Sequence, residues 1–357
     1  MNRVFLILFS CFLFTLSFAQ NREVDELVDR FIDTLENRSF MRHQVDFQKM
    51  RFETKIKVKN IQETDSLLTI FQSLVRSLKD HHSSVALSEE KEDEMALLNM
   101  LASTTYKQAG MPAQNFQHRM VNEKYAYINV PGVLLEHKRS FDTLQIQLIE
   151  LDKQNPKAWI IDLTENDGGS YIPMVVPFHS LIDTNKTFSY FEGEVDEQGN
   201  KILKNEFVVP EDGFYADSSK EAKIVKLDSL QAVQLKNNKV PIIVLVSNIT
   251  ASSGEIFAAH FIGQRNVTLV GSKTNGLTSS NELIYVDKGY SVNLMTALLN
   301  DRNGKSYELG EGISPDIDID FTFPKEMRSF SARLKYTKEN KPLFLNKAIE
   351  ILESKGI

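Results

Sequence analysis

PIIVLVSNITASSGEIFAAHF, residues 241–261, is the part of the sequence that decides the fold. It opens with a continuous apolar run, and a run without alternation is typical of a strand that is covered on both faces. Ser252 and Glu255 then have the spacing of a helix capping box, in which each side chain binds the other residue's backbone amide. These signals together predict a strand, a tight turn and a helix that opens at Ser252.

Three further apolar runs resemble the first one and also predict buried strands; they are YAYINV (125–130), AWIIDLT (158–164) and NVTLVGS (266–272). Helical candidates lie among them, at residues 140–154, 170–182 and 253–263. Strands that alternate with helices in this way predict an α/β core with right-handed crossovers and a mostly parallel sheet. After these, ELIYVD-KG-YSVNLMTALL (282–299) predicts an antiparallel hairpin, and residues 345–354 predict a closing helix.

The first third of the chain has a different pattern. Apolar residues recur at helical spacing in REVDELVDRFIDTLENRSF (22–40) and in SLLTIFQSLVRSLKD (66–80). Before them, the sequence at 1–19 has one positive charge, an apolar centre and small residues at its end, which predicts a secretory signal peptide. We therefore expect a signal peptide at 1–19, a helical segment at 20–120 and a core at 121–357.

The amino-acid composition argues against several kinds of site and partner. Cys11 is the single cysteine and lies in the predicted signal peptide, so the mature chain has neither a disulfide, nor a thiol nucleophile, nor a thiolate metal site. The formal net charge of −7 argues against a nucleic-acid partner. The sequence predicts a secreted or periplasmic protein with no membrane span in its mature part, and it is compatible with a homo-oligomer.

Two loops and one histidine pair carry residues suited to catalysis. A serine that follows a buried strand and opens a helix lies where α/β proteins bind ligands, and the amides of that helix start can stabilise an oxyanion. After the strand at 158–164, the adjacent Gly168 and Gly169 allow either a plain tight turn or a close backbone approach to a ligand. Of the seven histidines, His81 and His82 stand together where a helix ends, which fits a general base, a helix cap or, less well, a metal ligand without a recognisable third partner.

Taken in order, these motifs resemble the core of the S41 family of serine peptidases, the C-terminal processing and tricorn-like group. The resemblance rests on AWIIDLTENDGG, PIIVLVSNITASSGEIFA, NVTLVGSKTNG and GEGISPDIDID, and on LKDHHSS ahead of them. It implies an α/β fold of the ClpP/crotonase-like type with a mostly parallel sheet, preceded by an N-terminal helical cap segment. It implies no cofactor and no metal.

The resemblance also implies roles for single residues. The nucleophile falls on Ser252, and the oxyanion hole falls on the amides of Ser253 and of Gly168 or Gly169. The processing branch uses a lysine as base, but Leu277 stands at that position. The tricorn-like branch uses a histidine before the core, which points to His82.

The sequence departs from the family at three positions. The usual arginine of the glycine-loop motif is Thr164, and the residue before the base is His81 where the tricorn-like branch has a serine. The expected glutamate partner of the histidine falls by strict register on Leu309, although a bulge would turn the adjacent Glu308 inward. We therefore take Glu308 as the predicted partner.

The resulting hypothesis is a secreted serine peptidase that acts on peptide or protein substrates through Ser252, His82 and Glu308. No PDZ domain fits before the core, because about forty residues separate His82 from the first core strand and such a domain needs on the order of a hundred. One alternative is a protein of the same fold that binds an apolar ligand or a peptide without catalysis. Another is a hydrolase of a non-peptide ester or amide.

Overall fold

The structure, a computed structural model, describes residues 22–87, 100–183, 188–205, 214–215 and 230–357. The predicted signal peptide at 1–19 lies outside the described residues. The chain divides into two compact units. We call them the helical unit, with residues 1–97 and 281–297, and the core unit, with residues 98–280 and 298–357.

The helical unit contains, within residues 22–87, three α-helices and a short strand, namely α1 (22–38), α2 (Phe47–Val58), α3 (Leu68–Ser77) and β1 (Ser84–Leu87), and, within residues 281–297, most of two further strands that are described below. Its core is partly aromatic: the Phe31 ring stacks on Phe71 at 4.0 Å, and Phe71 meets the edge of Tyr290 at 4.8 Å. The two predicted helices are confirmed as α1 and α3. The strand β1 was not predicted, because four residues carry no periodic signal.

The elements from residue 98 onward are, in chain order, β2 (His118–Val121), β3 (Tyr125–Asn129), α4 (His137–Asp152), β4 (Ala158–Asp162), α5 (Ile172–Val175), β5 (Phe188–Val195), β6 (Lys201–Asn205), β7 (Phe214–Tyr215), β8 (Leu230–Gln231), β9 (Ile242–Val246), α6 (Ser253–Phe261), β10 (Val267–Gly271), β11 (Ser279–Asp287), β12 (Tyr290–Asp301), β13 (Ile317–Asp318), α7 (Phe330–Glu339) and α8 (Lys341–Ser354). Strands β11 and β12 form the predicted hairpin. Its turn residues Lys288 and Gly289 have φ values of 51° and 78°, as a two-residue type I′ turn requires.

The main sheet of the core unit has the strand order β13-β10-β9-β4-β3-β2. All its pairs are parallel except β2 with β3. Alternate residues of the apolar strands point to opposite faces: Trp159, Ile161 and Val244 pack on the side of α4 and α6, while Ile160, Ile243 and Leu245 pack on the side of α8. Both faces are thus covered, and the predicted α/β fold with a mostly parallel sheet is confirmed.

One predicted helix differs from the structure. Residues 170–182 form the short α5 followed by a 3₁₀ turn at Val176–Leu181. Pro173 is tolerated near the helix start, but Pro177 lacks the N–H that a continuing α-helix needs. The apolar spacing was therefore interpreted as a longer helix than the backbone can form.

Two loops at one edge of this sheet carry residues of the candidate site. Strands β4 and β9 are parallel neighbours, with Asp162 paired to Leu245, so both strands end at the same edge. The loops that follow them hold the glycine pair and Ser252. In the described part of the chain, no helix is long and apolar enough to cross a membrane.

Candidate active site

The turn between β9 and α6 is fastened to the loop that follows β4. The Ser247 hydroxyl donates to the Thr164 carbonyl oxygen at 2.6 Å, and the Thr250 hydroxyl donates to the Leu163 carbonyl oxygen at 2.8 Å. All of these residues except Leu163 are polar, yet each is fully buried. Their hydrogen bonds therefore fix one loop against the other, because breaking them would leave buried polar groups unpaired.

Ser252 follows this turn in a strained backbone conformation. Its φ and ψ are 51° and −122°, far from the extended values that a helix N-cap residue ordinarily adopts. Conformations of this kind cost on the order of 1–3 kcal/mol and concentrate at functional sites. Ser252 is half-buried, and the predicted capping box with Glu255 is present.

The carboxylate of Glu255 holds this turn and a second loop together. It accepts hydrogen bonds from the N–H groups of Ser252 at 3.0 Å, Gly276 at 2.9 Å and Leu277 at 2.8 Å, and also one from the Thr274 hydroxyl. Burial raises the pKa of Glu255 to about 7, although all four hydrogen bonds favour the ionised form. Leu277, which stands where the processing branch has its lysine, thus contributes its amide to Glu255.

The glycine loop lies against Ser252. A methyl group added at Gly168 would lie 2.9 Å from the Ser252 Cβ atom and 3.3 Å from its Oγ atom. At Gly169 it would lie 2.2 Å from the Val133 carbonyl oxygen, and both glycines have φ above 100°. Positive φ and close approach to neighbouring segments of the chain therefore both require glycine at these two positions.

Asn166 joins the two loops, and the sequence analysis did not single it out. Its side chain is fully buried: Nδ2 donates to the Val130 carbonyl oxygen at 3.0 Å, and Oδ1 accepts from the Gly168 N–H at 3.0 Å. Its own carbonyl oxygen accepts from the Ala251 N–H at 3.0 Å. Its position two residues before the glycine pair in AWIIDLTENDGG was the available signal.

The amides of the predicted oxyanion hole differ in their partners. The Gly168 N–H is bound to Asn166, whereas within the described residues the N–H groups of Ser253 and Gly169 donate no hydrogen bond. The Ser253 hydroxyl donates to the Gly169 carbonyl oxygen, so these two residues are in direct contact. The core unit thus brings Ser252, Ser253 and both glycines together.

His82 belongs to the helical unit, in a turn organised by Asp80. The buried Asp80 carboxylate accepts from the N–H groups of His82 and Ser83, at 3.0 and 2.8 Å, and from the Ser83 hydroxyl at 2.6 Å. Burial lowers the pKa of His82 and outweighs the opposing effect of the Asp80 charge, so the ring is neutral near pH 7. Its neighbour His81 is exposed and has a φ of 57°.

Glu308 lies in the core unit, in a loop outside the named strands. Its side chain is exposed, and its N–H donates to the Glu311 carboxylate at 3.1 Å. Glu311 itself pairs with Lys305 at 2.9 Å, and this cation is the main reason that its pKa is lowered. Neither Glu308 nor the adjacent Leu309 lies on a strand, so the bulge that was expected to turn Glu308 inward is absent here.

Comparison with known proteins places this chain in a family. The model of peptidase family S41 matches residues 124–319. The chain is 32% identical to the nisin-resistance protein of Lactococcus lactis over 167 residues, which are 47% of this chain and 48% of that protein. It is also 32% identical to a carboxy-terminal-processing protease of Bartonella bacilliformis over 94 residues, 26% of this chain and 21% of that protein.

These matches span about half or less of the length of the curated relatives. A solved structure of a lipoprotein from Streptococcus agalactiae shares the fold, with a TM-score of 0.66 over 93% of this chain and 96% of that chain at 23% identity. The family model, in contrast, covers more than half of the 357 residues. The chain therefore belongs to peptidase family S41.

Proposed function

We propose that this protein is a serine peptidase in which Ser252 is the nucleophile and His82 is the base. The observation that carries the proposal is the start of α6: Ser252 has a strained backbone and lies against the glycine loop, and among the described residues the N–H groups of Ser253 and Gly169 donate no hydrogen bond. This is the arrangement that acyl transfer needs, a hydroxyl next to donors that can receive a developing negative charge. The neutral ring that burial favours at His82 suits a group that must accept a proton.

In the proposed reaction the Ser252 Oγ atom attacks the carbonyl carbon of the peptide bond, and its proton passes to His82. The carbonyl oxygen becomes an oxyanion, which accepts hydrogen bonds from the Ser253 and Gly169 amides. Gly168 forms one wall of this oxyanion hole. Collapse of this intermediate breaks the C–N bond, and His82 returns the proton to the leaving amine. Water then attacks the acyl-enzyme by the same route, releasing the acid and restoring Ser252.

Turnover of casein and of peptide libraries by single variants tests the proposal. We expect Ser252→Ala and His82→Ala to lower kcat/KM by about 10⁴-fold or more, whereas His81→Ala, which changes the exposed neighbouring imidazole, leaves it within about threefold of wild type. Equal turnover by wild type and Ser252→Ala would end the assignment. Equal turnover by wild type and His82→Ala would rule out His82 as the base and leave the role of Ser252 in place.

Glu308 is the proposed partner of the His82 ring and has its own test. Its carboxylate is exposed and therefore well screened, so we expect Glu308→Gln to lower kcat/KM by less than about tenfold. A loss as large as that of His82→Ala would give this glutamate a larger part than its exposure suggests.

The substrate class and location extend the same proposal. The family acts on peptides or proteins. One relative is named for nisin resistance and another for carboxy-terminal processing. Nisin and proteins with unstructured carboxy-terminal tails therefore belong in the first substrate panel. The predicted signal peptide supports a location outside the cytoplasm, and fractionation of cells that express the full chain tests it.

Labelling with a fluorophosphonate separates the peptidase from the non-catalytic alternative. We expect a covalent adduct on the Ser252 hydroxyl of the wild type and none on Ser252→Ala. A folded wild type that takes no label and carries a co-purified apolar ligand would favour the binding protein.

A further inference from the structure

Two carboxylates lie at the base of the glycine loop. Asp162, at the end of β4, has a side chain that is 1% exposed. Its Oδ1 atom accepts from the N–H and the hydroxyl of Thr164 at 2.9 and 2.6 Å, and its Oδ2 atom accepts from the Tyr127 hydroxyl at 2.5 Å. Glu165 follows three residues later, with 15% of its side chain exposed.

The loop itself supplies no cation to these groups. Residues 162–170 read DLTENDGGS, with three acidic residues and no basic one. Close like charges in a partly buried site repel each other, and a buried carboxylate without a partner is strongly destabilising. The loop therefore depends on a positive charge from elsewhere in the core unit.

Lys341 provides this charge from the first residue of α8. Its Nζ atom lies 2.7 Å from Glu165 Oε1 and 3.3 Å from Asp162 Oδ2, and 18% of its side chain is exposed. The two carboxylates raise the pKa of Lys341 despite the opposing effect of burial, so it stays charged. Lys338 approaches Glu165 as well, at 3.5 Å, but is half exposed.

We propose that Lys341 is a positioning residue for the glycine loop, through which α8 holds the proposed catalytic groups in place. The proposal rests on the proposed function of Ser252 and extends it to a residue 176 positions away from Glu165. Lys341 binds Glu165, and the next residue, Asn166, holds the Gly168 amide and the Ala251 amide. A displacement of Glu165 is thus transmitted through Asn166 to Gly168, which lies against Ser252, and to Ala251, which precedes it.

The effect on activity follows from this position. Lys341 touches neither Ser252 nor the amides beside it, so its loss changes the geometry of the glycine loop and leaves substrate affinity largely intact. A misplacement of about 1 Å lowers turnover by roughly 10²-fold. We expect Lys341→Met to lower kcat by that order, with KM within about threefold of wild type, and Lys341→Arg to keep most of the activity.

A charge-balanced double variant guards against simple misfolding. Lys341→Met leaves Asp162 without its cation and Glu165 with only the half-exposed Lys338, whereas Lys341→Met/Glu165→Gln also removes one negative charge and keeps the side-chain volumes. We expect the double variant to recover kcat by about tenfold over Lys341→Met. The matched control is Lys347→Met, because Lys347 lies on the same helix and pairs only with Glu350 at the surface among the described residues.

Hydrogen–deuterium exchange in a Ser252→Ala background gives a readout that does not need catalysis. We expect amides in residues 164–170 and 250–254 to exchange about tenfold faster in Lys341→Met, and at the wild-type rate in Lys347→Met. Unchanged exchange in these segments, or a double variant no more active than Lys341→Met, would overturn the proposal. If the wild type has no hydrolase activity, the function proposed for Ser252 fails, and the exchange result alone decides the role of Lys341.

Discussion

Glu255 makes the stability of the core unit depend on pH in a direction opposite to that of most carboxylates. Its pKa is raised to about 7 from an ordinary value of 4.5, chiefly because it is buried. The folded chain therefore retains a proton that the unfolded chain releases between these two values. Stability is greatest below pH 4.5 and falls as the pH rises through 7, above which it no longer changes on account of this group.

The size of this effect follows from the two pKa values. Each factor of ten in proton affinity is about 1.4 kcal/mol, so the step from 4.5 to about 7 amounts to about 3 kcal/mol. Between pH 5 and pH 8 the part that is lost is about 2 to 3 kcal/mol. This is a large share of the total stability of an ordinary domain.

Glu255→Gln removes the titration but keeps the shape of the side chain. Both oxygens of Glu255 can accept a hydrogen bond even when the carboxyl is protonated, whereas the NH₂ group of glutamine cannot, so one buried N–H is left without a partner, which costs about 1–3 kcal/mol. We therefore expect the variant to be less stable than wild type at pH 5. At pH 8 the difference shrinks or changes sign, because the wild type then holds a buried charge.

Urea unfolding followed by tryptophan fluorescence measures this directly. Trp159 is the single tryptophan of the chain and is fully buried in β4, so its emission reports the unit that contains Glu255. Glu350→Gln, a surface change on α8, serves as the control. A free-energy difference between wild type and Glu255→Gln that is the same at pH 5 and pH 8 would refute the titration of Glu255 in this range.

Three further predictions concern the loops around the site. Gly168→Ala should lower kcat by about 10²-fold or more, because its methyl group would lie 2.9 Å from the Ser252 Cβ atom; wild-type kinetics would contradict the close approach. Asn166→Ala should lower the free energy of unfolding by about 2–4 kcal/mol, since it leaves the Gly168 amide and the Val130 carbonyl unpaired, and urea titration checks it. The acid limb of the kcat/KM profile should lie below pH 6.5, because burial lowers the pKa of His82; a limb above 6.5 would assign it to another group.

Local signals in the sequence predicted much of the core unit. The run at β9 reads as a doubly covered strand because both faces of the sheet are in fact packed, and Ser252 with Glu255 reads as a helix start because a capping box is a contact within one turn. The Lys288-Gly289 turn was predictable for the same reason, since its conformation depends on two adjacent residues. Such features need no knowledge of distant parts of the chain.

Contacts between distant segments were beyond these signals. Lys341 looks like an ordinary charged residue at a helix start, and only the fold brings it to Glu165 and Asp162. Asp80 likewise resembles a surface acid, yet it is buried under the turn that holds His82. A periodic pattern shows which face of an element is buried, but it does not show which polar group from a distant segment contacts that face.

The start of α6 explains how one serine can be a helix cap and also the proposed nucleophile. A helix leaves its first amides without partners, and here three of them are bound within the chain: the Ser252 N–H by Glu255, the Gly254 N–H by the Ala251 carbonyl and the Glu255 N–H by the Ser252 carbonyl. Among the described residues, the Ser253 N–H has no acceptor. The capping box thus satisfies the helix start and leaves one donor, next to the serine hydroxyl, for an oxygen that is not part of the chain. The cap and the candidate oxyanion hole are therefore two consequences of the same backbone arrangement.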